Sequence, residues 1–103
     1  MRRVQIAIVN SKSFGEYSSA VEELRRIGDV SRISVPSDAS GGELASRLDG
    51  FHFVIASVTP YYGREFFEGN KSVVMIIRHG VGLDNVDLEA AEEHGVAVAR
   101  VPG

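Results

Sequence analysis

Five short apolar runs, starting near Val4, Val30, Phe51, Val73 and Val96, recur about every two dozen residues with helix signals between them. Few folds accommodate that rhythm. Strands joined through helices pair in parallel by right-handed crossovers. The expected architecture is therefore a three-layer α/β sandwich around a five-stranded parallel sheet. The strand order 2-1-3-4-5 is expected because it is a common solution for five strands. A chain of 103 residues is enough for one domain with a real core and too short for two.

The local signals follow that plan. Val4 to Val9 reads as the first strand. Ser13-Phe14-Gly15-Glu16 has a capping-box pattern, and Phe14, Tyr17, Val21, Leu24 and Ile27 then share one helical face, with Gly28 as the stop. Val30 to Val35 alternates imperfectly, as an edge strand can, and Pro36 ends it. Ser40-Gly41-Gly42-Glu43 is a second capping box, with Leu44 and Leu48 one turn apart behind it. Asp49-Gly50 is a turn signal, and Phe51 to Ala56 is the third strand. Thr59 is expected to cap a helix with Pro60 in its first position, a helix that carries Phe66 and Phe67 and frays by Gly69-Asn70. Val73 to Ile77 is an unbroken apolar run, the mark of a parallel strand covered on both faces. Asp87 is expected to cap a helix from Leu88 to about His94, Gly95 to stop it, and Val96 to Ala99 to form the fifth strand.

Composition excludes several classes. The apolar fraction of 44% and charged fraction of 24% are those of an ordinary globular chain. A net charge of −3 with both signs scattered gives no reason to expect nucleic acid or an anionic membrane as partner. Without cysteine there is neither a disulfide framework nor a thiolate site, which suits a reducing cytoplasm. The run behind Met1-Arg2-Arg3 is far too short for a signal or membrane segment.

The functional signal is concentrated after the fourth strand, in Arg78-His79-Gly80-Val81-Gly82-Leu83-Asp84-Asn85-Val86-Asp87. Open α/β sheets bind ligands at the carboxyl ends of their strands. Gly80 and Gly82 allow the backbone to turn sharply and present bare N–H groups, which suit a carboxylate or phosphate oxygen. A ligand-free tight turn is the competing reading. The segment is not a dinucleotide fingerprint, because position 85 is asparagine and the motif belongs to the first βα unit. Ser57 and Thr59, behind the third strand, are expected to face the same cleft. His79 could contact an anion or move a proton, or be a plain loop residue. His52 between two phenylalanines and His94 at a helix end read as structural. The three histidines are too dispersed to suggest a metal site. No serine, histidine and acid form a recognisable hydrolytic triad.

From Val73 to Gly103 the chain resembles the D-2-hydroxyacid dehydrogenase family, which includes phosphoglycerate dehydrogenases. The run of strand, R-x-G-x-G-x-D-N-V-D-L, helix, G-V-x-V and a closing P-G carries the resemblance. Upstream, Ser57 and Thr59 fit it less specifically. The resemblance implies a flavodoxin-like substrate domain, one of two in such enzymes. Val81 and Gly82 would then offer N–H groups to the substrate carboxylate, with Gly80 and Ser57 beside them. It implies NAD as cofactor, held by a domain absent from this chain. Hydride would pass between the substrate C2 and the nicotinamide, and the family's catalytic arginine, glutamate and histidine would lie beyond Gly103. The chain is accordingly expected to be a piece of a two-domain enzyme, inactive by itself, with a small 2-hydroxy or 2-oxo acid as ligand. Where phosphoglycerate-type members typically carry an arginine before the serine, this chain has Ala56, which argues against a phosphorylated substrate. The alternative is a stand-alone flavodoxin-like module that senses a small acid. A phosphoacceptor receiver is a poorer third, since Asn10 and Ser57 stand where it needs acids.

Overall fold

The computed structural model describes residues 3–11, 14, 19–79 and 84–101. In chain order they form β1 (Val4–Val9), α1 (Ala20–Ile27), β2 (Gly28–Ile33), α2 (Gly41–Arg47), β3 (Phe53–Ala56), α3 (Arg64–Gly69), β4 (Met75–His79), α4 (Leu88–Glu93) and β5 (Ala97–Val101). The strands make one sheet in the order β2-β1-β3-β4-β5, and every neighbouring pair is parallel. The expected α/β class and strand order are both found.

Alternation along the strands divides the core between two faces. Ala7 and Val9 of β1, Val54 and Ala56 of β3 and Ile76 of β4 join the larger cluster, with Leu44, Leu48, Phe66, Phe67 and Ala90 from the α2, α3 and α4 regions. Ile6, Ile8 and Ile55 point the other way, where Val21 and Leu24 of α1 cover them. β1 and β3 are thus buried on both faces, which explains their near-continuous apolar runs. β2 lies at the edge, as its mixed sequence implies.

Two caps are as expected. The Ser40 hydroxyl accepts from the Glu43 N–H at 3.1 Å, and the Asp87 carboxylate accepts from the Ala90 N–H at 3.0 Å. Gly95 ends the α4 turn with φ at +72°, a conformation that favours glycine.

Other expectations need correction. Thr59 does not cap α3, and Pro60 is not its first residue. Thr59-Pro60 is a cis peptide in the preceding loop, and α3 starts behind Gly63. Gly28 does end α1, but it is also the first residue of β2, which therefore begins before Val30. A Cβ on Gly28 would come within 2.3 Å of the Val4 carbonyl oxygen, so close approach of the first two strands is what requires glycine there. β3 starts at Phe53, since Phe51 N–H instead donates to the Leu48 carbonyl. The capping box at Ser13, Gly15 and Glu16 lies outside the described residues, as does Tyr17. The described part of α1 begins after Ser19, whose hydroxyl meets the Glu23 carboxylate and caps no N–H.

Candidate functional site

Because all five strands run the same way, their carboxyl ends form one rim, and the strand order reverses between β1 and β3. That is where ligands of open α/β sheets collect. Gly80, Val81 and Gly82, the candidate carboxylate-binding residues, lie outside the described residues, but both flanks are described. His79 closes β4 in register with Val101, and Asp84 resumes the chain.

Two asparagines organise the rim. Asn10, just past β1, has φ at +55°, a left-handed conformation asparagine tolerates better than most residues. Its side-chain oxygen accepts from the Val35 N–H at 2.8 Å, and its amide N–H donates to the Thr59 carbonyl at 3.3 Å. The exits of β1, β2 and β3 are thereby tied together. Asn85 ties the other half. Its Nδ2 donates to the carbonyls of Ser57 at 2.7 Å and Pro60 at 3.1 Å, and its Oδ1 accepts from Arg78 Nε at 3.0 Å. Arg78, the last residue of β4 before His79, is only 6% exposed, so a guanidinium is held almost wholly within the protein. The main chain adds a parallel bridge between Tyr62 and Val86: Tyr62 N–H donates to the Asn85 carbonyl at 2.7 Å, and Asp87 N–H to the Tyr62 carbonyl at 2.9 Å.

Over this frame lies a depression of about 430 Å³, lined by Ser37, Val58, Thr59, Tyr61, Arg78, Asp84 and Asn85. Among the described residues that line it, Arg78 brings a guanidinium and Asp84 a carboxylate. Val58 and Tyr61 are more than half exposed, so its wall is partly apolar. Ser57, the remaining predicted ligand residue, is half-buried next to this lining, and its carbonyl is spent on Asn85. Thr59 does face the depression, as the sequence suggested. Tyr61 and Tyr62, adjacent in sequence, part company: Tyr61 lines the opening, while Tyr62 is fully buried against Phe66 with ring centroids 5.3 Å apart.

A larger hollow of about 800 Å³ lies at the opposite, amino-terminal rim. Its polar groups are turned on one another. Asp29 accepts from Arg3 at 2.7 Å and from Gln5 at 2.9 Å, and the Gln5 hydrogen bond, with that of Arg3 next, holds the Asp29 carboxyl below its usual range. His52 Nδ1 accepts the Gln5 backbone N–H at 2.9 Å, which makes His52 the structural residue expected. His94 likewise pairs Nδ1 with the Ala90 carbonyl at 2.9 Å and stacks on Phe67. Among the described residues, no group of three or more histidines and carboxylates is placed to hold a metal ion.

Residue spacing alone does not reveal Asn10 and Asn85 as organisers. Asn85 registers in sequence mainly as a glycine that is missing, and its partners sit 25 and 28 residues away. The one available signal is the type of residue. Asparagine in the loop behind a strand, directly after β1 for Asn10 and six residues past β4 for Asn85, is a side chain able to replace backbone hydrogen bonds that the sheet no longer supplies.

Comparison with known proteins fits this geometry. Residues 7–103 match the family model described as D-isomer specific 2-hydroxyacid dehydrogenase, catalytic domain. The chain is 35% identical over 96 residues to "D-3-phosphoglycerate dehydrogenase 2, chloroplastic" of Arabidopsis thaliana, an alignment covering 92% of this chain and 15% of that protein. Among solved structures, the PH0520 protein from Pyrococcus horikoshii OT3 superposes with a TM-score of 0.80 at 33% identity, over 98% of this chain and 28% of the other. The D-lactate dehydrogenase of Escherichia coli, at 24% identity and a TM-score of 0.72 over 97% of this chain and 31% of that one, shares the fold. The chain thus spans less than a third of the length of each of these three proteins.

Proposed function

The chain belongs to the D-isomer specific 2-hydroxyacid dehydrogenase family, and on that premise we propose that it is the substrate-binding domain of a two-domain, NAD-dependent oxidoreductase. That enzyme interconverts a D-2-hydroxy acid and its 2-oxo acid. The observation that carries the reading is the braced rim: the exits of β1, β3 and β4 are locked together around a depression at the flanks of residues 80–82. In this reading the N–H groups of Val81 and Gly82 hold the substrate carboxylate, with Gly80 giving the turn its freedom and Ser57 standing beside it.

The residues after β1, Asn10-Ser11-Lys12-Ser13-Phe14-Gly15, lack the glycine spacing of a dinucleotide-binding turn. The β1 exit, where a nucleotide-binding turn belongs, is occupied by Asn10 and its bonds to Val35 and Thr59. The cofactor is accordingly assigned to a separate domain that is the partner of this one, and this chain's part is to bind and orient the acid. No helix of the described residues is long and apolar enough to cross a membrane. The cysteine-free composition supports a cytoplasmic enzyme.

The lining favours a small, unphosphorylated acid. Ala56 is 1% exposed, with its methyl group in the core cluster beside Val9 and Val54. The guanidinium at the depression, Arg78, already donates to Asn85, and Asp84 would repel a phosphate. The test is to assay the full-length protein with NADH against glyoxylate, pyruvate, hydroxypyruvate and phosphohydroxypyruvate. Reduction of at least one unphosphorylated acid, with a lower kcat/KM for the phosphorylated one, is the expected result. A folded protein that binds NADH and reduces none of them would refute the assignment.

A further inference from the structure

We propose that Asn85 is a positioning residue for the substrate: its carboxamide sets the spacing between the exits of β3 and β4 and so holds both flanks of the peptide at 80–82. The inference rests on the functional reading above and adds a residue to it. Both amide N–H groups of Asn85 are spent, on the carbonyls of Ser57 and Pro60, and its oxygen takes the Arg78 Nε–H. Arg78 stands two residues before Gly80, and Asn85 three residues after Gly82. One side chain therefore joins the two flanks to each other and both to the loop behind β3. The main-chain bridge between Tyr62 and Val86 keeps residues 85–87 from sliding along that loop.

The location separates positioning from simple support of the fold. Pairing of β3 with β4 ends at Ala56 and Arg78, so the amide bonds to the Ser57 and Pro60 carbonyls lie beyond the last rung and add nothing to the ladder. What they reach is the rim. Only a carboxamide serves all three partners: a carboxylate could still accept from Arg78, but it would set oxygen against the Ser57 and Pro60 carbonyls. Asn85→Asp is thus nearly isosteric and cuts the link to β3 while keeping the link to β4.

The full-length enzyme tests this. Displacement of a binding group by about 1 Å costs on the order of 100-fold in rate, so Asn85→Asp should lower kcat/KM for the 2-oxo acid by roughly 10- to 100-fold. Most of that loss should appear in KM, while the dissociation constant for NADH stays within about two-fold of the wild type. Amide hydrogen exchange should quicken at residues 57–62 and 84–87 and stay unchanged in β1. If Asn85→Asp does not fold, Arg78→Lys removes the Nε–H while keeping the charge, and should show the same KM-weighted loss to a smaller degree. Wild-type KM in both variants, or faster exchange spread evenly through the sheet, would overturn the positioning role. A wild type that reduces no 2-oxo acid would instead overturn the functional reading, and the exchange pattern would then decide the role of Asn85 by itself.

Discussion

Tyr62 places a hydroxyl in the core where, among the described residues, it has no hydrogen-bond partner. Burial alone pushes its pKa above the ordinary tyrosine value near 10, so the ring is held neutral in the folded protein. Two consequences follow for Tyr62→Phe. An unsatisfied buried hydroxyl costs roughly 1–3 kcal/mol, so the variant should unfold at higher urea concentration at pH 7, by about 1 kcal/mol. Because the folded pKa lies above the unfolded one, the wild type keeps its full stability below pH 10 and loses it as the pH rises further. The advantage of Tyr62→Phe should therefore widen as the pH rises above 10, and a constant difference from pH 9 to pH 11 would contradict the burial argument. Nothing in the adjacent pair Tyr61-Tyr62 tells from sequence which ring faces inward. That choice is made by the parallel bridge to Val86, a contact 24 positions along the chain. Gly28 teaches the same lesson. Its role as a helix stop was legible, whereas its need to admit the Val4 carbonyl depends on a neighbour far away in the sequence.

Among the elements, the short helices depend on their caps. The six-residue α4 has one side-chain cap, the Asp87 carboxylate on the Ala90 N–H. Asp87→Ala should lower stability by about 1 kcal/mol, and Asp87→Asn or Asp87→Ser should restore most of it, because any of these oxygens can accept that N–H. Urea denaturation of the three variants would check this, and equal loss in all three would show that the cap is not the cause. Helix starts such as those at Ser40 and Asp87 were readable because a cap and the N–H it holds lie three residues apart. The start of α3 was not. Thr59 and Pro60 have the composition of a cap and a first turn, but the Thr59 carbonyl is engaged by Asn10, 49 positions away, and the helix waits until Gly63. The start of β4 moved for a similar reason, since Val73 N–H is taken by the Asn70 side chain at 2.9 Å before the sheet can use it.

On the scale of the whole molecule, the sheet is strongest in its middle. Ile6, Ala7, Ile8 and Val9 of β1 are completely buried, whereas α1 buries none of its residues fully and β2 is an edge. Native-state hydrogen exchange should therefore find β1 and β3 opening only with global unfolding, while α1 and β2 open locally at lower free energy. Equal protection across all five strands would count against that division. The architecture was legible from the βα rhythm because each strand is an apolar run and each connection carries helix signals. The arrangement of the rim was not, because it is built from polar side chains whose partners only the folded sheet brings near. At one rim the polar residues are braced around a depression, and at the other Arg3, Gln5, Asp29 and His52 are bonded among themselves, with the apolar sheet between. A layer of hydrocarbon thus insulates the two ends of the barrel-less stack from each other. On the proposed reading, exchanges at the carboxyl-end mouth that change which acid is accepted should leave the hydrogen bonds of the opposite end intact.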